Sequence, residues 1–467
     1  GIDNRPMRKK TKAAPPRINT AVLIGSSVVA LALAVAGFRQ ARPAWMRYTG
    51  SAEVRVTTPT LTGKPELCLT CHEGIEEISP AHPIEAFGCV SCHGGDRLSL
   101  DKDAAHAGMY GGRNPADLAV VGQSCGTADC HDGAAENARD HIARVQRSVQ
   151  ATYAGAINSV LFSFNLAEEG DPHYGVFAIT DDERTHPEAA QALAAFDPAR
   201  FDSPPVRTFG EQCMVCHLSA ESIREAYYYR STGCSACHAV YNADGLYTGG
   251  DPTIPRDEPG HPARHELTLQ LPFSQCNHCH NRGNYSLAQM RFIPREDLKG
   301  LSPLLIATER RLAEYYQPIG RFTLCEWELD CIDCHTTQEA MGDGDIHLSQ
   351  ASAQTVQCRT CHGTLDEMPH FKTITDPNDP AIRRANLHPF YDVAVGDQVL
   401  LAPDGDTLGS VQLIGGEVRQ VGKVTGISYT VPLVRGSACE QQPDQQESRY
   451  CHECHAFETT RQDSPLD

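Results

Sequence analysis

Cys68-Leu69-Thr70-Cys71-His72 and, twenty-one residues on, Cys89-Val90-Ser91-Cys92-His93 open a pattern that runs through this chain. The same C-x-x-C-H arrangement returns at Cys213–Cys216–His217, Cys234–Cys237–His238, Cys276–Cys279–His280, Cys331–Cys334–His335, Cys358–Cys361–His362 and Cys451–Cys454–His455. An expanded copy, Cys125-Gly126-Thr127-Ala128-Asp129-Cys130-His131, puts four residues between its thiols. In chain order these are motifs one to nine, the expanded copy being the third. They take up 18 of the 20 cysteines and nine of the 21 histidines. A random chain of this composition would show roughly 0.04 standard matches, so eight standard copies and one expanded copy demand a common chemistry.

Paired thiols alone fit a zinc ribbon, a thiol redox site or a disulfide. None of these requires histidine directly after the second cysteine, and here it follows in all nine cases. C-x-x-C-H is the attachment signature of c-type haem: two thiols bond to the two vinyl groups of one porphyrin, and the adjacent imidazole swings under the ring to the iron. The expanded spacer can do the same by bulging its loop. The expected cofactor is therefore haem c (heme c), about nine copies, covalently attached. On these motifs, which run from 68 to 455, the sequence resembles the multihaem c-type cytochromes of bacteria and archaea. The resemblance implies attachment outside the cytoplasm, closely stacked haems and electron transfer.

Each iron also needs a sixth ligand. Twelve histidines lie outside the proximal positions: His82, His106, His141, His173, His186, His261, His265, His278, His347, His370, His388 and His452. Seven methionines are too few and too badly placed to dominate, so bis-histidine ligation and comparatively low potentials are expected. The favoured distal ligands are His82, His106, His141, His265, His347, His370 and His388. His278 and His452 lie inside motifs and point away from their own haem, so either could reach a neighbour. Cys325 and Cys439 stand outside the motifs; they could pair in an oxidising compartment, or Cys325 could remain a free thiol or an axial thiolate.

The charge is uneven. Residues 1–50 hold one acid and nine bases, +8, against −19 for the chain, which leaves −27 for residues 51–467. An acidic body repels phosphates, so nucleic acid is not an expected partner; basic redox proteins are. Thr20 to Phe38 is 19 residues without a charge, about enough to span a ~30 Å hydrocarbon core. Six bases precede it and three follow, which predicts a single-pass anchor with its N-terminus in the cytoplasm and its haem domain on the periplasmic or exoplasmic side. A cleaved signal peptide is the competing reading, with Ala34-Val35-Ala36 as its cleavage site; the run is longer than the usual apolar region of such a leader.

The expected fold is a mainly helical and irregular multihaem cytochrome c fold with a haem-filled core, one transmembrane helix and a small β module. The boundaries read from the sequence are a basic tail at 1–17, an anchor at 18–38, a linker at 39–66, haem domains at 67–205 and 206–390, a β module at 391–436 and a last segment, 437–467, with motif nine. Apolar spacing predicts a helix over about 134–164 and another over about 303–316. Pro- and Asp-rich stretches near 196–207 and 249–262 read as linkers. Residues 391–434 alternate, with turns at Asp404-Gly405 and Gly415-Gly416, and would cover the last haem or dock a partner. The shared spacing of Cys68 to Cys89 and Cys213 to Cys234, each with glycine before the second motif, suggests a duplicated two-haem unit.

The expected function is electron transfer from a membrane donor, such as a quinol-oxidising complex, to an exoplasmic acceptor, within a larger redox assembly. The competing class is a multihaem oxidoreductase resembling hydroxylamine oxidoreductases or nitrite and tetrathionate reductases, with one open iron. The C-x-x-C-K motif of many nitrite-reducing relatives is absent, which favours the relay.

Overall fold

The computed structural model describes residues 53–134, 139–222, 226, 228–280, 290–294 and 316–459. The predicted tail and anchor, the start of the linker and residues 303–315 of the second predicted helix lie outside them. Among the described residues no helix is long and apolar enough to cross a membrane.

The architecture is mixed helix and sheet. Most helices are single turns, and many coincide with motifs: Val90–His93, Ser235–His238, Phe273–Asn277, Cys331–Cys334 and Cys358–His362. Motif nine ends the longer helix Ser448–His455. A helical turn places positions i, i+3 and i+4 on one face, so two thiols and an imidazole share one side. Such short elements carry no continuous apolar stripe. Their buried side chains form separate small clusters, into which motif cysteines are packed: Cys125 and Cys234 against Leu118, Val121 and Ile142, and Cys361 against Leu400 and Val411.

The predicted helix over 134–164 is a helix in three pieces, His141–Arg147, Val149–Thr152 and Ala154–Ser163. Ser148 leaves the helical region at ψ 157° and caps the next turn by accepting from the Ala151 N–H; Tyr153 then turns left-handed at φ 55°. The apolar stripe survives these breaks, since Ile142, Val145, Ile157 and Leu161 are all buried. The predicted linker at 196–207 is also corrected: it runs into a helix, Pro204–Gln212, because Pro204 and Pro205 open its first turn, where their missing N–H groups cost nothing.

The β module is a five-stranded antiparallel sheet of strands joined in chain order, Phe371–Thr373, Gln398–Leu401, Thr407–Ile414, Glu417–Val421 and Ser428–Thr430. Its first strand lies upstream of the boundary read at 391. Gly405, Gly415 and Gly416 take the positive φ that its two turns need. The sheet packs on motifs seven and eight. The Gln420 amide donates to Asp333 O (2.9 Å), the Lys423 N–H to Asp333 Oδ1 (2.7 Å), and Val434 N–H to His362 O (2.9 Å). Two smaller sheets pair Tyr174–Gly175 and Ile179–Thr180 with Ala192–Ala195, and Met290–Pro294 and Phe457–Thr459 with Tyr316–Phe322.

Candidate functional site

The motifs close on themselves through one backbone bond. The histidine N–H donates to the first cysteine's carbonyl at His72 (3.1 Å), His93 (2.9 Å), His238 (3.1 Å), His280 (2.8 Å) and His335 (3.0 Å). The expanded motif makes the same bond, His131 N–H to Cys125 O at 3.0 Å. Its two extra residues are taken up by Ala128 and Asp129, both left-handed at φ 55° and 60°. This is the bulge that allows a longer spacer to present the same two thiols and imidazole. Glycines set the approach to the second motif of each pair. Gly88 and Gly233 have φ 68° and 62°, and a Cβ on Gly233 would sit 2.0 Å from Ala116 O. Their surroundings differ, because Gly88 lies instead against Pro59 and Glu66.

The motif histidine rings are oriented through Nδ1. His238 Nδ1 donates to Thr268 O (2.8 Å) and His362 Nδ1 to Pro432 O (2.7 Å). A carbonyl only accepts, so the proton is on Nδ1 and the Nε2 lone pair is free for a metal. Carboxylates serve His72 and His335, through Asp251 Oδ2 (2.6 Å) and Glu339 Oε2 (2.8 Å). Burial pulls both imidazoles down, but the carboxylate bonds outweigh it and hold their pKa values above the ordinary one. Where no such partner exists the ring stays neutral. Burial pushes His93 down to about 4, with His265, His72 and His106 adding to it, and burial with the Arg230 charge does the same to His217.

Four facing pairs of imidazoles involve the first three motifs. His72 and His106 have ring centroids 6.1 Å apart, His93 and His265 6.0 Å, His131 and His82 5.8 Å, and His131 and His141 5.6 Å. An iron about 2 Å from each of two imidazole nitrogens would set their centroids roughly 6 Å apart, so this geometry fits a bis-imidazole iron. The rings that face the motif histidines are tied in the same way: His106 Nδ1 donates to Lys102 O (2.7 Å) and His265 Nδ1 to Glu76 O (2.9 Å), while His82 Nδ1 bonds Ser79 Oγ (2.9 Å). His141 Nδ1 meets the Arg144 guanidinium at 2.8 Å.

The remaining candidates are placed otherwise. His347 Nε2 bonds Asp343 (2.8 Å), and its ring faces His186, so two non-proximal histidines meet there. His388 stacks on Tyr391 and is pushed down to about 4 by burial and Lys423. His452 Nε2 lies 3.5 Å from the Glu326 carboxylate. His278 is buried within motif six, and His370 is exposed at the edge of the sheet. His217 faces the Tyr153 ring at 5.8 Å. Cys325 and Cys439 are both free thiols. They do not pair, because Cys325 is turned onto motif eight, with Sγ 3.8 Å from His362 Nε2.

Thiols of different motifs also meet. Cys68 and Cys89 share a hydrogen bond, as do Cys276 and Cys331, Cys216 and Cys279, and Cys358 and Cys451. Cys92 lies within electrostatic reach of Cys125 and Cys130, Cys234 of Cys125, Cys276 of Cys237, and Cys334 of Cys361. The motifs thus form one connected string: one, two, three, five, six, seven, eight, nine. Motif four branches from motif six.

Asp251, Glu339, Thr268, Pro432 and Glu76 were not singled out from sequence, and Tyr153 entered only as part of a helical apolar stripe. The first two sit 179 and four residues from the imidazoles they hold, and only the nearer had a sequence signal, an i,i+4 His–Glu pair. Glu66, Cys68 and Cys89 converge closely enough to hold an ion. The Glu66 carboxylate is committed elsewhere, accepting from the Cys89 N–H (2.7 Å) and Val90 N–H (3.3 Å) and so fixing the start of motif two. No family model, no curated protein and no solved structure matches this chain.

Proposed function

We propose that this chain is a multihaem c-type cytochrome that passes electrons along about nine covalently bound haems, within a membrane-anchored redox assembly. The observation that carries the reading is the nine Cys–Cys–His motifs, each with a cysteine close to a cysteine of another motif, three of them with a second imidazole facing the motif histidine. When bound, haem supplies a one-electron iron couple tuned by its axial ligands. The motif thiols would tether the ring edges, and the nearness of cysteines in neighbouring motifs would set successive sites close. Proximal imidazoles offer Nε2, and Asp251, Glu339, Thr268 and Pro432 orient them and raise their basicity. The apolar run at 20–38 would keep the chain near a membrane donor such as a quinol-oxidising complex, and the acidic body would dock a basic exoplasmic acceptor. The test is the purified full chain: a pyridine haemochrome assay and intact mass should give about nine haems, and reduced-minus-oxidised spectra should show low-spin c-type bands. A mass equal to the amino acids alone ends the proposal.

One observation favours a second reading, an oxidoreductase with one open iron. His217 is faced by Tyr153, a half-buried aromatic held in a left-handed conformation, and motif four is the side branch of the string. Strained residues cluster at functional sites. A high-spin ferric signal of one haem in nine, lost on adding nitrite or hydroxylamine, would support that reading over the pure relay.

A further inference from the structure

We infer that Cys325 is the second axial ligand at motif eight, so that the iron tethered by Cys358 and Cys361 is held between the His362 imidazole and a thiolate. This rests on haem attachment at that motif. On one side, Pro432 O takes the His362 Nδ1 proton, which leaves Nε2 as the free lone pair. That nitrogen faces Cys325 Sγ at 3.8 Å. Metal bonds of about 2.0 Å to nitrogen and about 2.3 Å to sulfur span roughly 4.3 Å in a straight line, so an opening of about half an ångström admits the iron.

The thiol is built into place. Cys325 lies in the first turn of helix Leu324–Glu328, which Thr323 and Glu326 close with a full capping box. Trp327 locks the helix, packing edge-on to Phe322 and Phe457 at 5.8 Å each. Rival ligands are placed elsewhere: His452 is paired with Glu326, and His455, the imidazole within electrostatic reach of His362, is the histidine of motif nine itself. Cys439, the other cysteine outside the motifs, lies within electrostatic reach of Cys451. Forming the iron–sulfur bond releases the thiol proton to solvent and changes no oxidation state. Thiolate donation pushes electron density onto iron, which makes motif eight a low-potential step between motifs seven and nine.

The experiment is EPR of the full haem-loaded protein, with haem counted by pyridine haemochrome. The wild type should show a narrow-spread low-spin ferric signal of thiolate type integrating to one haem in nine. Cys325→Ala should abolish that signal and leave the haem count unchanged. Cys325→His, which keeps a ligand and guards against a variant that fails to mature, should convert it into a broad bis-imidazole signal. A fully loaded wild type without the thiolate signal, or a Cys325→Ala protein that keeps it, overturns the assignment while leaving the cytochrome reading intact. Absence of haem from the wild type overturns both, and the haem count identifies that case.

Discussion

Asp251→Asn is the sharpest probe of how the fold sets one site. Asp251 is 1% exposed and accepts from His72 Nδ1 at 2.6 Å, while Thr253 N–H and Oγ1 bond its other oxygen at 2.8 Å each. The amide keeps the shape and a hydrogen bond but removes the charge. With His72 on iron, the carboxylate oxygen would lie about 6.5 Å from the metal, and at an effective dielectric of 20 its charge favours ferric over ferrous iron by roughly 2.5 kcal/mol. At about 1.4 kcal/mol and 59 mV per tenfold for one electron, that is about 100 mV. Solvent near His72, whose side chain is 30% exposed, reduces it, so the expected shift is an upward move of several tens of millivolts, at most about 100 mV. A spectroelectrochemical titration of wild type and variant should show one haem of nine moved up and the others superimposed. Nine superimposed transitions at equal haem count would refute the second-layer role of Asp251, and so would a downward shift.

Gly233→Ala meets Ala116 O at 2.0 Å on a φ of 62°, so it should cost more than about 2 kcal/mol and lower the yield of fully loaded protein. Gly112→Ala, at a similar φ of 65° in open space, carries only the left-handed strain of about 1–2 kcal/mol and should mature nearly normally. At motif three, Ala128→Gly should leave haem content unchanged, whereas Ala128→Val puts a β-branched residue at φ 55° and should lose one haem by mass. Two imidazoles compete for the His131 site: whichever of His82→Ala and His141→Ala turns one haem high-spin by EPR identifies the ligand, and an unchanged spectrum in both removes the pair from the site.

The motif cysteines and histidines were legible because each motif is local. Two thiols and an imidazole must lie within one turn of backbone, so their spacing in the chain is their spacing in space, and even the expanded motif closes the same bond between His131 and Cys125. His82, His106, His141 and His265, named from the count of histidines outside the motifs, are the ones whose rings the fold brings to motif histidines. What counting could not do was pair them. His265 meets His93 from 172 positions away and Asp251 meets His72 from 179, and no local pattern encodes either approach. His347 shows the converse, a plausible ligand by supply that the fold turns toward Asp343 and His186. The long helix read from one apolar stripe was divided for a similar reason: the stripe reports burial, while Ser148 and Tyr153 bend the backbone beneath it.

The sequence by itself determined the number and spacing of the Cys–Cys–His motifs, since each is written in a few adjacent residues. Only the tertiary structure decided which motifs neighbour one another, which imidazoles face each other, and that Cys325 turns to His362 rather than to Cys439. Those relations depend on how distant turns pack, and packing is a property of the whole chain that short spacings do not carry.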